Sequence, residues 1–249
     1  MNPNVPAGST VALFIPCYTE QIFPETGMAL AKLLRHFGLI PVNVPHQTCC
    51  GQPAFNTGYR EQAVPLAERF LRQFELYDWI VAPSGSCVSM VKVFYGDLDL
   101  SDRGRKRWAK VKERIFEGTQ FLYHQLGIRE IGGSYPARVA LHESCHAKRE
   151  LGVDGEIKAL LGSIKELDLV IPPGSDECCG FGGTFSMKFP ELSREIGLDK
   201  LSAIQKSGAQ IVTAVDDSCL MHLHGLARRR NIDVRTVHAL RIMAKAMGL

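Results

Sequence analysis

At 249 residues and 45% hydrophobic composition, the chain has enough apolar material for one large domain or two of about 120 residues each. A charged fraction of 22% excludes a disordered chain, and a net charge of +3 is too small to indicate nucleic-acid binding. The first ten residues carry no targeting signal and no apolar run is long enough to cross a bilayer, so we expect a cytoplasmic protein without a membrane span.

Predicted strands and helices alternate along the first part of the chain. The apolar run at 10–16 predicts a buried strand, and the apolar spacing over 25–37 predicts a helix. A second strand over 39–44, a helix over 59–74 and a third strand over 79–82 follow. Strands that alternate with helices are typical of parallel sheets.

The last part of the chain repeats this alternation. It predicts strands over 138–142, 167–171, 210–214 and 233–237, helices over 156–161 and 191–206, and a short closing helix. We therefore expect an α/β fold of two pseudo-repeated halves, each a small parallel sheet flanked by helices. The expected parts are a first repeat at 1–96, an inserted helical linker at 97–136 and a second repeat at 137–249.

Eight cysteines divide into two sets with the same layout. The sets are Cys17, Cys49, Cys50 and Cys87, then Cys145, Cys178, Cys179 and Cys219. The gaps before and after the adjacent pair are 31 and 36 residues in the first set and 32 and 39 in the second. A repeat of this length implies duplication. Each cysteine falls at or just after the carboxyl end of a predicted strand, where open α/β sheets place their ligands.

The adjacent cysteines argue against disulfides and for metal. Neighbouring Cα atoms lie about 3.8 Å apart, whereas a disulfide needs roughly 4.4–6.8 Å. Four thiolates suit an iron–sulfur cluster, and zinc, whose cysteines usually come in spaced pairs, is the alternative. We expect one 4Fe–4S cluster per set, with zinc possible at one site. Gly51 and Gly180 follow the pairs and would let the backbone approach a cluster.

Weaker candidates surround the cysteines. His46, His142 and His146 lie within four residues of a cysteine and could bind metal or carry protons, although hydrogen-bonded histidines in crowded loops are the interpretation that we favour. The basic run at 103–110 is a candidate docking surface for a partner. No nicotinamide, flavin or P-loop motif is recognisable, so we expect no catalytic residue in this chain.

Four motifs carry a resemblance to a known family. CCGQPAFNTGY (49–59), PSGSC (83–87), CCGFGGTFSMK (178–188) and SCLM (218–221) resemble the CCG-domain family of cysteine-rich iron–sulfur proteins, and within it the lactate-utilisation proteins. The resemblance covers about residues 10–242. Where the wider family often has a further cysteine, this chain has Ser84 and Asp216, which puts enlarged clusters in doubt.

The resemblance implies a role in a cytoplasmic complex. Its other subunits would be LutB- and LutC-like proteins, and the complex would oxidise L-lactate to pyruvate. The chain would be the electron-transfer subunit of this oxidoreductase, inactive alone. The alternatives are a thiol/disulfide-active subunit like the related subunit of heterodisulfide reductase, and a zinc-stabilised scaffold without redox activity.

Overall fold

The first half of the chain builds a four-stranded parallel sheet. The computed structural model describes residues 4–249. The first three residues lie outside the described part, although they belong to the predicted first repeat and to the segment in which we expected no targeting signal. The strands are β1 (Thr10–Leu13), β2 (Ile40–Asn43), β3 (Ile80–Ala82) and β4 (Ile115–Glu117). They lie in the order β2-β1-β3-β4, in which Leu13 aligns with Asn43 on one side and Val81 on the other.

The second half builds a sheet of the same topology. Its strands are β5 (Ser134–Leu141), β6 (Lys165–Val170), β7 (Ile211–Thr213) and β8 (Arg235–Thr236). They lie in the order β6-β5-β7-β8 and are all parallel. The alignment of Leu141 with Thr213 repeats that of Leu13 with Val81. The prediction of an α/β fold made of two similar halves is confirmed.

Helices connect the strands and flank the sheets. They are α1 (Cys17–Ile22), α2 (Pro24–His36), α3 (Gln52–Asn56), α4 (Arg60–Phe74), α5 (Gly85–Lys92), α6 (Asp102–Arg114), α7 (Gly118–Gln120), α8 (Cys145–Leu151), α9 (Gly155–Gly162), α10 (Phe185–Lys188), α11 (Pro190–Lys206), α12 (Asp217–Arg229) and α13 (Ala239–Ala246). A 3-10 turn at Phe94–Asp97 follows α5, and a π turn at Phe121–Gln125 continues α7. Within residues 4–249, none of these helices has the length and apolar character needed to cross a membrane.

One hydrophobic core joins the two halves. Leu30 and Leu33 lie on one face of α2, because their spacing is helical. They pack in the same buried cluster as Leu240 and Met243 of α13. The other side of each sheet has its own cluster, centred in the first half on aromatic side chains such as Phe70. The last helix of the chain therefore belongs to the core of both halves.

The halves also meet at the carboxyl ends of their strands. Helix α1 packs against α12, and α5, the counterpart of α12, packs against α8, the counterpart of α1. Ser84 and Asp216, which precede α5 and α12, form an antiparallel bridge between the halves. The reciprocal contacts bring the loops that carry the cysteines of both halves to one place.

The segment at 97–136 is more than a linker. It holds the helix α6, as expected, but it also holds β4, which pairs with β3 and completes the first sheet. β4 is the counterpart of β8, so the segment does have an equivalent in the second half. Three residues are too few to show a period in the sequence, which is why the pattern did not predict this strand.

The crossing of α5 and α8 depends on Gly85. A Cβ placed on Gly85 would lie 2.5 Å from Cβ of Ala147, so a side chain there must push the helices apart. We expect Gly85→Ala to lower the free energy of unfolding by about 1–3 kcal/mol. Gly162→Ala, whose new Cβ would meet nothing within 4 Å, should be neutral or stabilising. Denaturant titration under anaerobic conditions measures both, and equal stability of the two variants would contradict the tight crossing.

Glu117 at the end of β4 predicts a pH-dependent stability. The side chain is fully buried; Oε2 accepts from Thr119 and from the backbone N–H of Gln120, while Oε1 has no hydrogen-bond partner among the described residues. Burial raises the pKa of Glu117 from 4.5 to about 7, because the interior disfavours the charged form. The folded state then holds the proton more tightly than the unfolded state, so stability falls as the pH rises from 4.5 through 7.

Glu117→Gln should remove this loss. Between about pH 5 and about pH 8 the free energy of unfolding of the wild type should fall by roughly 2–3 kcal/mol relative to that of the variant. This fall is most of the free energy that corresponds to the change in pKa. Denaturant titrations at the two pH values give the difference. Glu113→Gln, a change at an exposed carboxylate in α6, should keep the wild-type slope. Parallel pH profiles for wild type and Glu117→Gln would show that the carboxyl does not titrate in this range.

Candidate metal centre

The cysteines occupy equivalent places in the two halves. Cys17 and Cys145 are the first residues of α1 and α8, directly after the central strands β1 and β5. Cys87 and Cys219 lie in the first turns of α5 and α12, after β3 and β7. The adjacent pairs lie in the loops after β2 and β6. Because the strands are parallel, all of these loops lie at the carboxyl edges of the sheets.

Each set of four thiols converges. In the first set Cys50 Sγ lies 3.5 Å from Cys87 Sγ, and Cys49 is hydrogen-bonded to both Cys17 and Cys50. The second set shows the same chain of contacts, which links its members in the order Cys145, Cys178, Cys179 and Cys219. All eight cysteines are free thiols. The structure therefore brings together each of the two sets that the spacing predicted.

Hydrogen bonds within each set make one thiol much more acidic than the others. The pKa of Cys49 is lowered to about 3 and that of Cys178 to about 2, mainly by hydrogen bonds from the two neighbouring thiols of the set. The pKa values of Cys17 and Cys145, which donate these hydrogen bonds, are raised. The pKa of Cys219 is also lowered, to about 6, so the second set has a second thiol that favours the charged form. The charged form is the one that binds metals.

The adjacent pairs are followed by glycines for a geometric reason. Gly51 has φ 89° and Gly180 has φ 90°, in the left-handed region that favours glycine. Their backbone N–H groups donate to the sulfurs of Cys49 and Cys178, at 3.4 and 3.3 Å. At Gly180 a Cβ would also lie 2.5 Å from the carbonyl oxygen of Ser193. These turns aim an N–H group at the most acidic thiol of each set.

All eight cysteines line one cavity of about 140 Å³ between the halves. Its wall also contains Tyr18 and Phe181, one from each half, whose rings pack edge to face at 5.5 Å. A structural zinc site is closed around its ion, whereas this space is several times larger than the roughly 30 Å³ of one water molecule. The donor set and the volume fit a metal or cluster, and both cysteine sets face the same cavity.

Ser84 and Asp216, which directly precede α5 and α12, are hydrogen-bonded to each other. Asp216 Oδ1 accepts from Ser84 Oγ at 2.8 Å, from Ser86 Oγ at 2.7 Å and from Ser86 N at 3.0 Å. Oδ2 of Asp216 is buried and, among the described residues, has no hydrogen-bond partner. Ser84 Oγ also accepts from the backbone N–H of Cys87. This carboxylate therefore lies between the two cysteine sets and ties one to the other.

The three candidate histidines have different environments. His46 is exposed, and its carbonyl oxygen accepts from Arg69 and Gln73. His146 lines the cavity, but its Nδ1 lies 3.1 Å from Oε2 of Glu150. His142 is buried, and its ring lies beside the thiols of the second set.

Sequence reasoning missed several residues that support the site. The hydroxyl of Tyr95, which is fully buried, donates to the carbonyl oxygen of Cys50 at 3.0 Å. Asp217 accepts from Thr19 at 2.8 Å and Thr26 at 3.2 Å, both in the other half. Burial raises the pKa of Asp217. These contacts join residues 45 to 198 positions apart, so no local pattern could have revealed them.

Comparison with known proteins agrees with the duplicated architecture. Two segments, residues 11–92 and 139–224, match the cysteine-rich domain named CCG. In the solved structures, a hypothetical protein from Helicobacter pylori superposes with a TM-score of 0.62 at 14% identity. The alignment covers 100% of this chain and 51% of that protein, so this chain spans about half its length. That likeness concerns the fold alone.

Curated sequences resemble the chain over nearly its whole length. Proteins named lactate utilization protein A from Oceanobacillus iheyensis and from an Exiguobacterium species are 38% and 37% identical, over 94% of this chain and 96% of each relative. A lactate utilization protein A 2 from Bacillus cereus is 35% identical over 96% of this chain and 99% of the relative. The chain therefore belongs to the CCG cysteine-rich domain family, in the group that includes the lactate utilization protein A sequences.

Proposed function

We propose that this chain is the iron–sulfur electron-transfer subunit of a complex that oxidises L-lactate to pyruvate. The observation that carries the proposal is the single cavity lined by two equivalent sets of four thiols. Cysteine thiolates are the usual protein ligands of iron–sulfur clusters. The names of the relatives, which are 34–38% identical to this chain, support lactate utilisation as the process that the complex serves.

Each cysteine set would hold one 4Fe–4S cluster through its thiolates. When bound, such clusters take up and release single electrons. The N–H groups of Gly51 and Gly180 hold the sulfurs of Cys49 and Cys178 in place and favour their charged form.

Lactate oxidation itself is assigned to a partner. Two electrons and two protons leave L-lactate when pyruvate forms, and this sequence carries no recognisable nicotinamide or flavin motif to receive them. We infer that LutB- and LutC-like subunits of a cytoplasmic complex bind lactate and exchange electrons with this chain. The chain alone would then show no lactate oxidation.

We infer that a partner docks at the rim of the cavity. Helix α10 follows the cavity-lining Gly183, and four large apolar side chains around it are exposed, which we call the rim patch: Tyr59, Met187, Phe189 and Leu192. Lys188 of α10 lies over the ring of Tyr59, with Nζ 5.6 Å from its centroid, so the patch spans both halves. Exposed apolar clusters mark interaction surfaces, and electron transfer needs the partner close to the cavity.

The basic run at 103–110 is the weaker docking candidate. It lies in α6, where Arg107 is buried and pairs with Glu75 at 2.9 Å, and Arg105 pairs with Asp102 at 3.0 Å. Both arginines therefore form ion pairs within the chain. Lys106 and Lys110 are exposed and remain available to contact a partner.

Metal analysis tests the proposed cofactor. Anaerobically purified protein should contain about eight iron and eight acid-labile sulfide per chain, one 4Fe–4S cluster for each cysteine set. Cys50→Ser should lower both values by about half, because it removes a buried member of the first set only. Zinc without sulfide after strictly anaerobic preparation would contradict the proposal and favour a zinc-stabilised scaffold.

Co-purification tests the docking surface. Met187→Asp combined with Phe189→Asp should reduce recovery of LutB- and LutC-like subunits at least about tenfold, because charges would be buried in an apolar contact. Leu76→Asp is the control, since Leu76 is 84% exposed and Met187 is 83% exposed, but Leu76 lies outside the rim patch. Iron content should stay unchanged in every variant.

The basic run makes the opposite prediction. If Lys106→Glu with Lys110→Glu abolishes binding, and binding weakens steeply as salt screens exposed charges, then α6 and not the rim patch is the docking surface. Salt-independent binding that is lost only in the rim-patch variant supports the rim.

A further inference from the structure

His142 is held so that one ring nitrogen faces the second cysteine set. It directly follows β5, and its backbone N–H donates to the carbonyl oxygen of Thr213 at 2.8 Å. The residue is 1% exposed, and Nδ1 lies 3.2 Å from the carbonyl oxygen of Ser175. A carbonyl oxygen only accepts hydrogen bonds, so Nδ1 carries a proton and Nε2 is the ring nitrogen that is left to bind a metal.

That nitrogen lies among thiols. Nε2 is buried and makes no hydrogen bond of ordinary length and angle with any residue of the described chain, although His142 interacts with the thiol of Cys219 and helps to lower its pKa. The imidazole nitrogen and the sulfurs of Cys179 and Cys219 all lie within 4.8 Å of one another. A buried polar atom without a partner is costly. Histidines that bind metals typically donate their other ring N–H to a carbonyl or carboxylate, which is the arrangement of His142.

The first half has no such nitrogen. Three residues before Cys17 the chain has Phe14, at the place that His142 occupies before Cys145. Phe14 is fully buried and packs edge to face against Phe70, with ring centroids 4.7 Å apart. The two cysteine sets are therefore equivalent in their thiols and different in the group beside them.

We propose that His142 is a metal ligand at the second cysteine set, bound through Nε2 beside Cys179 and Cys219. The two sites of the cavity then differ in their ligands, thiolate alone in the first and thiolate with imidazole in the second. Borderline metals such as iron, cobalt and zinc accept this combination. This inference rests on the proposed function in one respect: it takes iron–sulfur clusters to be the groups that the two cysteine sets bind in the cell.

Nitrogen spectroscopy of the loaded protein tests the ligand. The anaerobic, reduced chain is prepared with ¹⁴N- or ¹⁵N-histidine and studied by pulsed electron paramagnetic resonance. The wild type should show a strongly coupled histidine nitrogen whose signal changes with the isotope. His142→Phe, which copies Phe14 of the first half, should lose it. His146→Phe, which removes the histidine that lines the cavity, should keep it.

A cobalt experiment separates this proposal from the proposed function. The metal-free chain is titrated with Co²⁺ alone under anaerobic conditions and studied by proton nuclear magnetic resonance. The Nδ1 proton of His142 is buried against Ser175, so it should appear as a strongly shifted, slowly exchanging signal that is absent from His142→Phe and present in His146→Phe. This readout needs neither iron nor sulfide, and the wild-type spectrum needs no variant to fold.

The outcomes are distinct. Iron and sulfide without any coupled histidine nitrogen, or a coupling that survives in His142→Phe, would overturn the ligand and leave the proposed function standing. A shifted His142 proton with cobalt in a chain that binds no iron or sulfide would support the ligand and overturn the proposed function. The His142→Phe protein should keep its first cluster, so a loss of about half of the iron supports the same assignment.

Discussion

The two sheets meet at the carboxyl ends of their strands, and the rest of this structure depends on that contact. Two buried carboxylates of the second half hold it in place by accepting hydrogen bonds from the first: Asp216 from Ser84 and Ser86, and Asp217 from Thr19. A buried charge is costly unless such partners satisfy it. Separating the halves would leave both carboxylates without them. The residues that hold the two halves together therefore also line the cavity that the eight thiols share.

Duplication explains what the sequence could and could not predict. Within one half the cysteine spacing, the alternating strands and helices and the loop positions are local, so the α/β fold and the membership of each set could be predicted. How one half packs on the other is not encoded in any spacing. The sequence therefore suggested two separate sites, whereas the structure shows both sets in one cavity. The short strand β4 and the supporting Tyr95 were missed for the same reason, since only tertiary contacts define them.

The equivalent positions that differ between the halves lie around this interface. Glu117 ends β4 and accepts from the backbone N–H of Thr119; His238 follows β8 and accepts from the backbone N–H of Leu240. One half thus has an acid where the other has an imidazole. Asp216 contributes to the raised pKa of Glu117, and His238 opposes the rise in the pKa of Asp217.

Under the proposed function such differences matter, because two identical clusters would give an electron no preferred direction. Clusters that share a cavity would lie close together, and an electron would move between them one way only if their potentials differed. Ligand type, nearby charge and hydrogen bonds to sulfur are what set the potential of an iron–sulfur site. The N–H donors of Gly51 and Gly180 are the same in both halves, so they cannot create the difference. Phe14 and His142 stand at equivalent positions of the two halves, so the group beside the thiols differs between the two sets. Two halves with the same arrangement of thiols could therefore bind clusters of different potential, and that difference would give electron transfer between them a direction.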